Sequence, residues 1–217
     1  MTTKFLYGKK VFLSKIIQGV KSPRFTDISH YGRLENAKIR DNEMSKKFIF
    51  DKDSTTISLN GHTLDPASIV GNPTLSVPTQ HCYCLCLSNR KELFDIFDAD
   101  ICIEFETEKL LKIVELAFST KLPGLTIEAR DIKYYDPNSP PETTDPKEMV
   151  FYKPNCFSPE DEFRIAIFYP ANKSGFRTES GLTIPWYVKD DSLHLEFLHT
   201  EPRFIQQCIV GVYELPA

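Results

Sequence analysis

The segment Phe157-Ser158-Pro159-Glu160-Asp161-Glu162-Phe163-Arg164 runs directly into the apolar stretch Ile165-Ala166-Ile167-Phe168-Tyr169. A short apolar run of this kind reads as a strand covered on both faces. Charged residues at the start of such a strand cost desolvation free energy, so the fold must supply them with partners. With a period of two, Glu160, Glu162 and Arg164 share one face with Ala166 and Phe168, while Phe163, Ile165 and Ile167 share the other. The charged face turns apolar along its length, and a carboxylate at that border is partly desolvated. Two readings follow: an acid, a base or a stabiliser of positive charge held by Arg164, or a Glu162–Arg164 pair that ties a loop to the sheet.

The remaining pattern is strand-rich. Asn60-Gly61 between Thr55–Leu59 and His62–Leu64 predicts a hairpin with a type I′ turn. Residues 81–88, His-Cys-Tyr-Cys-Leu-Cys-Leu-Ser, carry no charge on either parity and read as a strand buried on both faces. A helix is expected over Arg90–Phe97, a strand over Ala99–Phe105 and an amphipathic helix from Thr107 to about Ser119. Residues 1–25 read as a strand followed by a short helix, or as two strands, and residues 125–135 as a half-exposed strand. The last strands are placed around 182–188, 192–198 and 204–214. Residues 136–147 hold four prolines and no apolar residue, which predicts a mobile excursion. The fold class expected is α+β: one domain over 1–217 with a mainly antiparallel, curved or split sheet and two or three helices in the middle third.

Composition narrows the function classes. At 217 residues and 41% apolar content the chain can bury a sizeable core, but two full domains would be tight. A net charge of −4 gives no whole-protein attraction to nucleic acid or to an anionic membrane. The first residues lack a signal-peptide apolar core, and no apolar run approaches the ~20 residues that span a bilayer. The expectation is a soluble, cytoplasmic protein whose partner would be a small molecule, a macromolecular acceptor or another protein.

Cys82, Cys84 and Cys86 alternate along one strand, which suits small buried hydrophobes better than disulfides or the Cys-x-x-Cys spacing of zinc sites. The five histidines lack metal-ligand spacing, so no metal is expected. Phosphate-binding P-loop, dinucleotide-binding glycine and nucleophile-elbow motifs are absent. Cys86 or Cys156 would need a nearby histidine to act as a nucleophile. Asp41 with Glu43, and Asp95, Asp98 and Asp100, would assemble a magnesium-dependent nuclease site only if the fold gathered them. The aromatics Tyr134-Tyr135, Phe151-Tyr152, Phe157, Phe176 and Trp186-Tyr187 would line a groove for a flat ligand or stack in the core.

Phe151-Tyr152-Lys153-Pro154 and Phe157-x-x-Glu160-x-Glu162-Phe163-Arg164-Ile165, with the earlier Tyr31, Arg33, Leu34, Glu35 and the strand ending at Ser88, resemble an uncharacterised bacterial family. That family implies no established activity, and it is associated with phage-defence and mobile-element neighbourhoods. A more distant likeness is to ADP-ribosyltransferases, which combine an early His or Arg, a central strand ending in Ser or Thr and a late Glu-x-Glu. The resemblance implies NAD as substrate. Glu162 would stabilise the oxocarbenium-like ribose, Glu160 would help activate the acceptor and Ser88 would be the central-strand hydroxyl. His30, Arg33, Tyr152 and Arg164 would contact the nucleotide. The chain departs from that pattern in having one hydroxyl at Leu87-Ser88-Asn89. Against an NAD-using ADP-ribosyltransferase-like or NAD-cleaving protein of a defence or toxin system stand a non-catalytic interaction or sensor module and a metal-dependent nuclease.

Overall fold

A computed structural model describes residues 2–34, 41–122, 124–191, 193–198 and 203–215. The described residues form an eight-stranded antiparallel sheet. Its strands are β1 (Thr3–Gly8), β2 (Phe25–Asp27), β3 (Tyr83–Ser88), β4 (Ile101–Glu106), β5 (Thr126–Asp131), β6 (Glu162–Phe168), β7 (His194–Leu195) and β8 (Ile209–Glu214). Helices α1 (Lys10–Ile17), α2 (Phe94–Phe97), α3 (Thr107–Lys121) and α4 (Arg203–Gln206) complete the α+β architecture, α2 and α3 lying in the middle third.

The sheet is forked. On one edge β3 pairs with β6 along its whole length, from Glu162 opposite Ser88 to Ile167 opposite Tyr83, and β6 in turn pairs with β5. On its other edge β3 pairs with β2 at Tyr83 and Cys84, and with β1 only where Phe5 faces Ser88. Among the described residues Leu85, Cys86 and Leu87 have no ladder partner on that edge, so the sheet divides into a β2–β7 branch and a β1–β4–β8 branch. The opening between the branches is where the candidate site lies.

The two parities of β3 and β6 feed separate cores, as alternation requires. Tyr83, Leu85, Leu87, Phe163, Ile165 and Ile167 pack with Leu110, Val114 and Phe118 of α3. Cys82, Cys84, Ala166 and Phe168 pack on the opposite face with Ile28, Val150 and Phe151. Next to the second core, Phe48, Val77, Met149 and Tyr152 bury the ladder between Ser45–Ile49 and Thr74–Pro78. The predicted hairpin is present: Ser58–Leu59 pairs with His62–Thr63, and both Asn60 (φ 52°) and Gly61 (φ 82°) adopt the positive φ of a type I′ turn.

Several boundaries differ from expectation for local reasons. Glu160 ends a 3-10 turn over Asn155–Glu160, and Asp161 (φ 45°) reverses the backbone, so the strand starts at Glu162. The second helix is confined to Phe94–Phe97 and ends at Asp98 (φ 47°), while ahead of it the Ser88 hydroxyl accepts the Arg90 N–H in a turn. Ile132, buried, interrupts the strand expected over 125–135, leaving Lys133–Tyr135 to pair in parallel with Tyr152–Pro154. The start of the last predicted strand is helical instead, with Ile205 buried and the Gln206 amide donating to the Ile17 carbonyl. Residues 136–147 contain neither helix nor strand, yet Pro137 and Pro146 carbonyls accept from Ile49 and Gln80, and Lys147 pairs with Glu128. Among the described residues no helix is long and apolar enough to cross a membrane.

Candidate functional site

Arg164 is fully buried in the interior strand β6, so each of its donors must find an acceptor inside the protein. Its Nε donates to Glu162 Oε1 at 2.7 Å. Its Nη2 and Nη1 donate to the two oxygens of Glu43 at 2.8 and 3.1 Å, and Nη1 also reaches the Val150 carbonyl at 2.7 Å. This two-point grip on Glu43 suits the planar guanidinium. Lys46, on the inward parity of Ser45–Ile49 beside Phe48, donates to Glu43 Oε2 at 2.6 Å and lies 3.5 Å from Asp41. Lys153 bridges the late acids, at 2.6 Å from Glu160 Oε2 and 3.0 Å from Glu162 Oε2.

The acids in this cluster are not equivalent. Burial alone would raise the pKa of Glu162, but Arg164 and then Lys153 outweigh it and hold the carboxyl at about 2. Glu43 is likewise held well below the ordinary range, the guanidinium of Arg164 and the two lysines overcoming its burial. Glu160 behaves oppositely. Its burial and the repulsion of Glu162 exceed the attraction of Lys153 and push it up to about 7. Asp41 is also raised, by burial and by Glu43. Glu160 Oε1 is a buried oxygen with no hydrogen-bond partner among the described residues.

The cluster borders a cavity of about 210 Å³ at the fork in the sheet. Ser88, Glu160, Glu162 and Lys153 wall it together with Cys86 and Tyr31. The three residues expected to be catalytic therefore meet at one cleft. Ser88 and Glu162 sit opposite each other across β3 and β6. The Ser88 hydroxyl, however, donates to the Glu160 carbonyl at 2.7 Å, so it fixes the turn that carries Glu160 and touches neither carboxylate.

The residues expected to contact a nucleotide are dispersed. Arg164 lies behind the wall, wholly enclosed by its acids, and Tyr152 is buried in the neighbouring core beside a second cavity of about 240 Å³. Neither His30 nor Arg33 is part of the cleft wall; Arg33 Nη2 donates to the Asp191 carbonyl at 2.8 Å and the His30 ring lies against Tyr31. From the same stretch of chain Arg24, Tyr31 and Leu34 face the cleft instead. Glu35 lies outside the described residues.

Among the described residues the acids weighed for a magnesium site form no group that could hold a metal ion. Asp41 and Glu43 are engaged by Lys46 and Arg164, Asp98 pairs with Lys9, and Asp100 accepts the Lys10 N–H at 2.5 Å. Cys86 lines the cleft, but burial raises its thiol pKa well above the usual value, which disfavours the nucleophilic thiolate. Sequence reasoning did not place Glu43, Lys46 and Lys153 in this cluster; Glu43 was weighed only with Asp41 for a metal and Lys153 only as part of a motif. Lys46 was detectable from its parity with Phe48, and Lys153 from its place inside the Phe-x-Lys-Pro motif. Comparison with family models, curated proteins and solved structures finds no significant match to this chain.

Proposed function

We propose that the cleft is a small-molecule site with Glu160 as its working acid–base group, and that its reaction is cleavage or transfer at the N-glycosidic bond of NAD. The observation that carries this reading is the Glu160 carboxyl, held by Lys153 at Oε2 but without a hydrogen-bond partner at Oε1, in the wall of a cavity that Ser88 and Glu162 also line. When the bond between ribose C1′ and the pyridinium nitrogen breaks, its electron pair goes to the ring and neutral nicotinamide leaves. An acceptor O–H then attacks C1′, and its proton needs a base. A carboxylate with a pKa of about 7 suits that role at neutral pH. Glu162, already neutralised by Arg164 and Lys153, has little charge left for an oxocarbenium ion and serves to hold Lys153 against Glu160. A cavity of about 210 Å³ takes the nicotinamide end of the molecule rather than the whole dinucleotide.

Incubation with NAD at pH 6 to 8.5, following released nicotinamide, tests the reading. Release should rise through a midpoint near 7 and fall by about 10²-fold or more in Glu160→Gln, the range expected for loss of a general base. No release by the wild-type chain at any pH would remove it. The suggested setting in phage defence or a toxin system adds growth arrest on expression as a second readout. A non-catalytic interaction or sensor module is the other reading, favoured by the closed Glu162–Arg164–Glu43 network, which has the character of a structural fastening.

A further inference from the structure

Among the described residues, the buried cluster sets four acids, Asp41, Glu43, Glu160 and Glu162, against three cations, Lys46, Lys153 and Arg164. The acid left short is identified by geometry. Asp41 has only Lys46, at 3.5 Å, but is partly exposed. Of the three buried acids, Glu43 and Glu162 each contact two cations closely, whereas Glu160 has Lys153 on Oε2 and no hydrogen-bond partner on Oε1. Glu160 is 4% exposed and walls the cavity, so the missing partner must come from the cleft or from a proton.

We propose that the cleft binds a small, flat organic cation whose N–H groups occupy the unpartnered oxygen of Glu160. Phe5, Tyr7, Tyr31 and Phe97 also line the space, Tyr7 and Phe97 stacked on each other, and aromatic rings attract a planar cation. Lys153 does not exclude it, because its ammonium is already committed to Glu160 Oε2 and Glu162 Oε2. Arg24, also on the wall, suits an anionic substituent on the same molecule. The groups bearing on Glu160 are Lys153, Glu162 and Glu43, with Tyr134 beyond Glu162 and with Arg24 and Tyr31 on the cavity wall. Of these, Lys153 favours the ionised carboxyl and the two acids oppose it.

The inference deepens the preceding reading in naming the ligand class, and it rests on the cleft being the ligand site but not on NAD being the ligand. Benzamidine, a flat cation, and benzamide, its neutral counterpart of nearly equal shape, are the probes. Titration calorimetry of the full chain in two buffers of different ionisation heat reads both affinity and proton exchange. Benzamidine should bind about tenfold or more tightly than benzamide at pH 8. Its affinity should fall about tenfold on going to pH 6, where binding releases close to one proton. Glu160→Gln should erase both the preference and the pH dependence. Equal affinities for the two probes, a pH-independent benzamidine affinity, or failure of benzamidine to bind the wild-type chain would each overturn the proposal. Cation binding with proton release in a chain that leaves NAD intact would remove the NAD reading alone. NAD cleavage without any preference for benzamidine would remove this inference alone.

Discussion

At the scale of single residues, three side chains on one face of a strand and its leading turn divide the work. Arg164 is the anchor, because a buried guanidinium has no low-cost alternative to its carboxylate partners. Glu162 completes that anchor and at the same time holds Lys153. Glu160 is left with a proton affinity near neutrality because its burial and the repulsion of Glu162 and Glu43 outweigh the attraction of Lys153. Removing the Glu162 charge leaves Arg164, which is fully buried, without one of its two carboxylate charges. Glu162→Gln is therefore expected to lower stability by about 3 to 5 kcal/mol, the cost of breaking a buried ion pair, as read by urea unfolding at pH 7. A loss below about 1 kcal/mol would mean that the pair contributes no more than an exposed one.

At the scale of elements, the cleft depends on where strands stop pairing. β1 leaves β3 after Phe5–Ser88 and β2 reaches only Tyr83 and Cys84, which leaves Leu85–Leu87 as one wall. The opposite edge of β3 is closed by β6, whose first N–H, at Glu162, donates to the Tyr134 hydroxyl at 2.8 Å. Tyr134→Phe removes that acceptor at the point where the Glu160 turn becomes strand. It should cost about 1 to 3 kcal/mol and speed hydrogen exchange at the Glu162 amide, since a buried donor would lose its partner. Unchanged exchange there would show that the strand start is held by other contacts.

Much of this element level was readable from local pattern. Asn60-Gly61 specifies its turn by backbone conformation alone, and the charge-free run at 81–88 and the apolar run at 165–169 read as interior strands from their length and composition. Glu160 was misplaced onto the strand because the period-two pattern does not register Asp161 at positive φ. Glu43 and Lys46 were invisible as members of the site because they lie more than a hundred residues from Arg164, and only the packing of Ser45–Ile49 onto the second core brings them there. The same long-range packing seats Tyr31, rather than His30 or Arg33, in the cleft wall.

At the scale of the whole molecule, a forked antiparallel sheet encloses a charge cluster that titrates in two directions. Glu162 binds its proton less tightly folded than unfolded, so its stabilisation is present above its ordinary value of 4.5 and is lost as pH falls towards about 2. Glu160 binds its proton more tightly folded, so its contribution is complete below pH 4.5 and is lost as pH rises through about 7. Together these two acids favour the mildly acidic range for stability, while any function that needs the Glu160 carboxylate gains on the alkaline side. The central claim is that Glu160 holds a proton near neutrality at the edge of the cleft. Carbon-detected NMR titration of the glutamate side-chain carboxyls, comparing the wild-type chain with Glu160→Gln, measures it directly. The expected result is a carboxyl resonance with a midpoint near 7 that vanishes in Glu160→Gln; a wild-type spectrum in which every glutamate ionises below pH 5.5 would contradict the account.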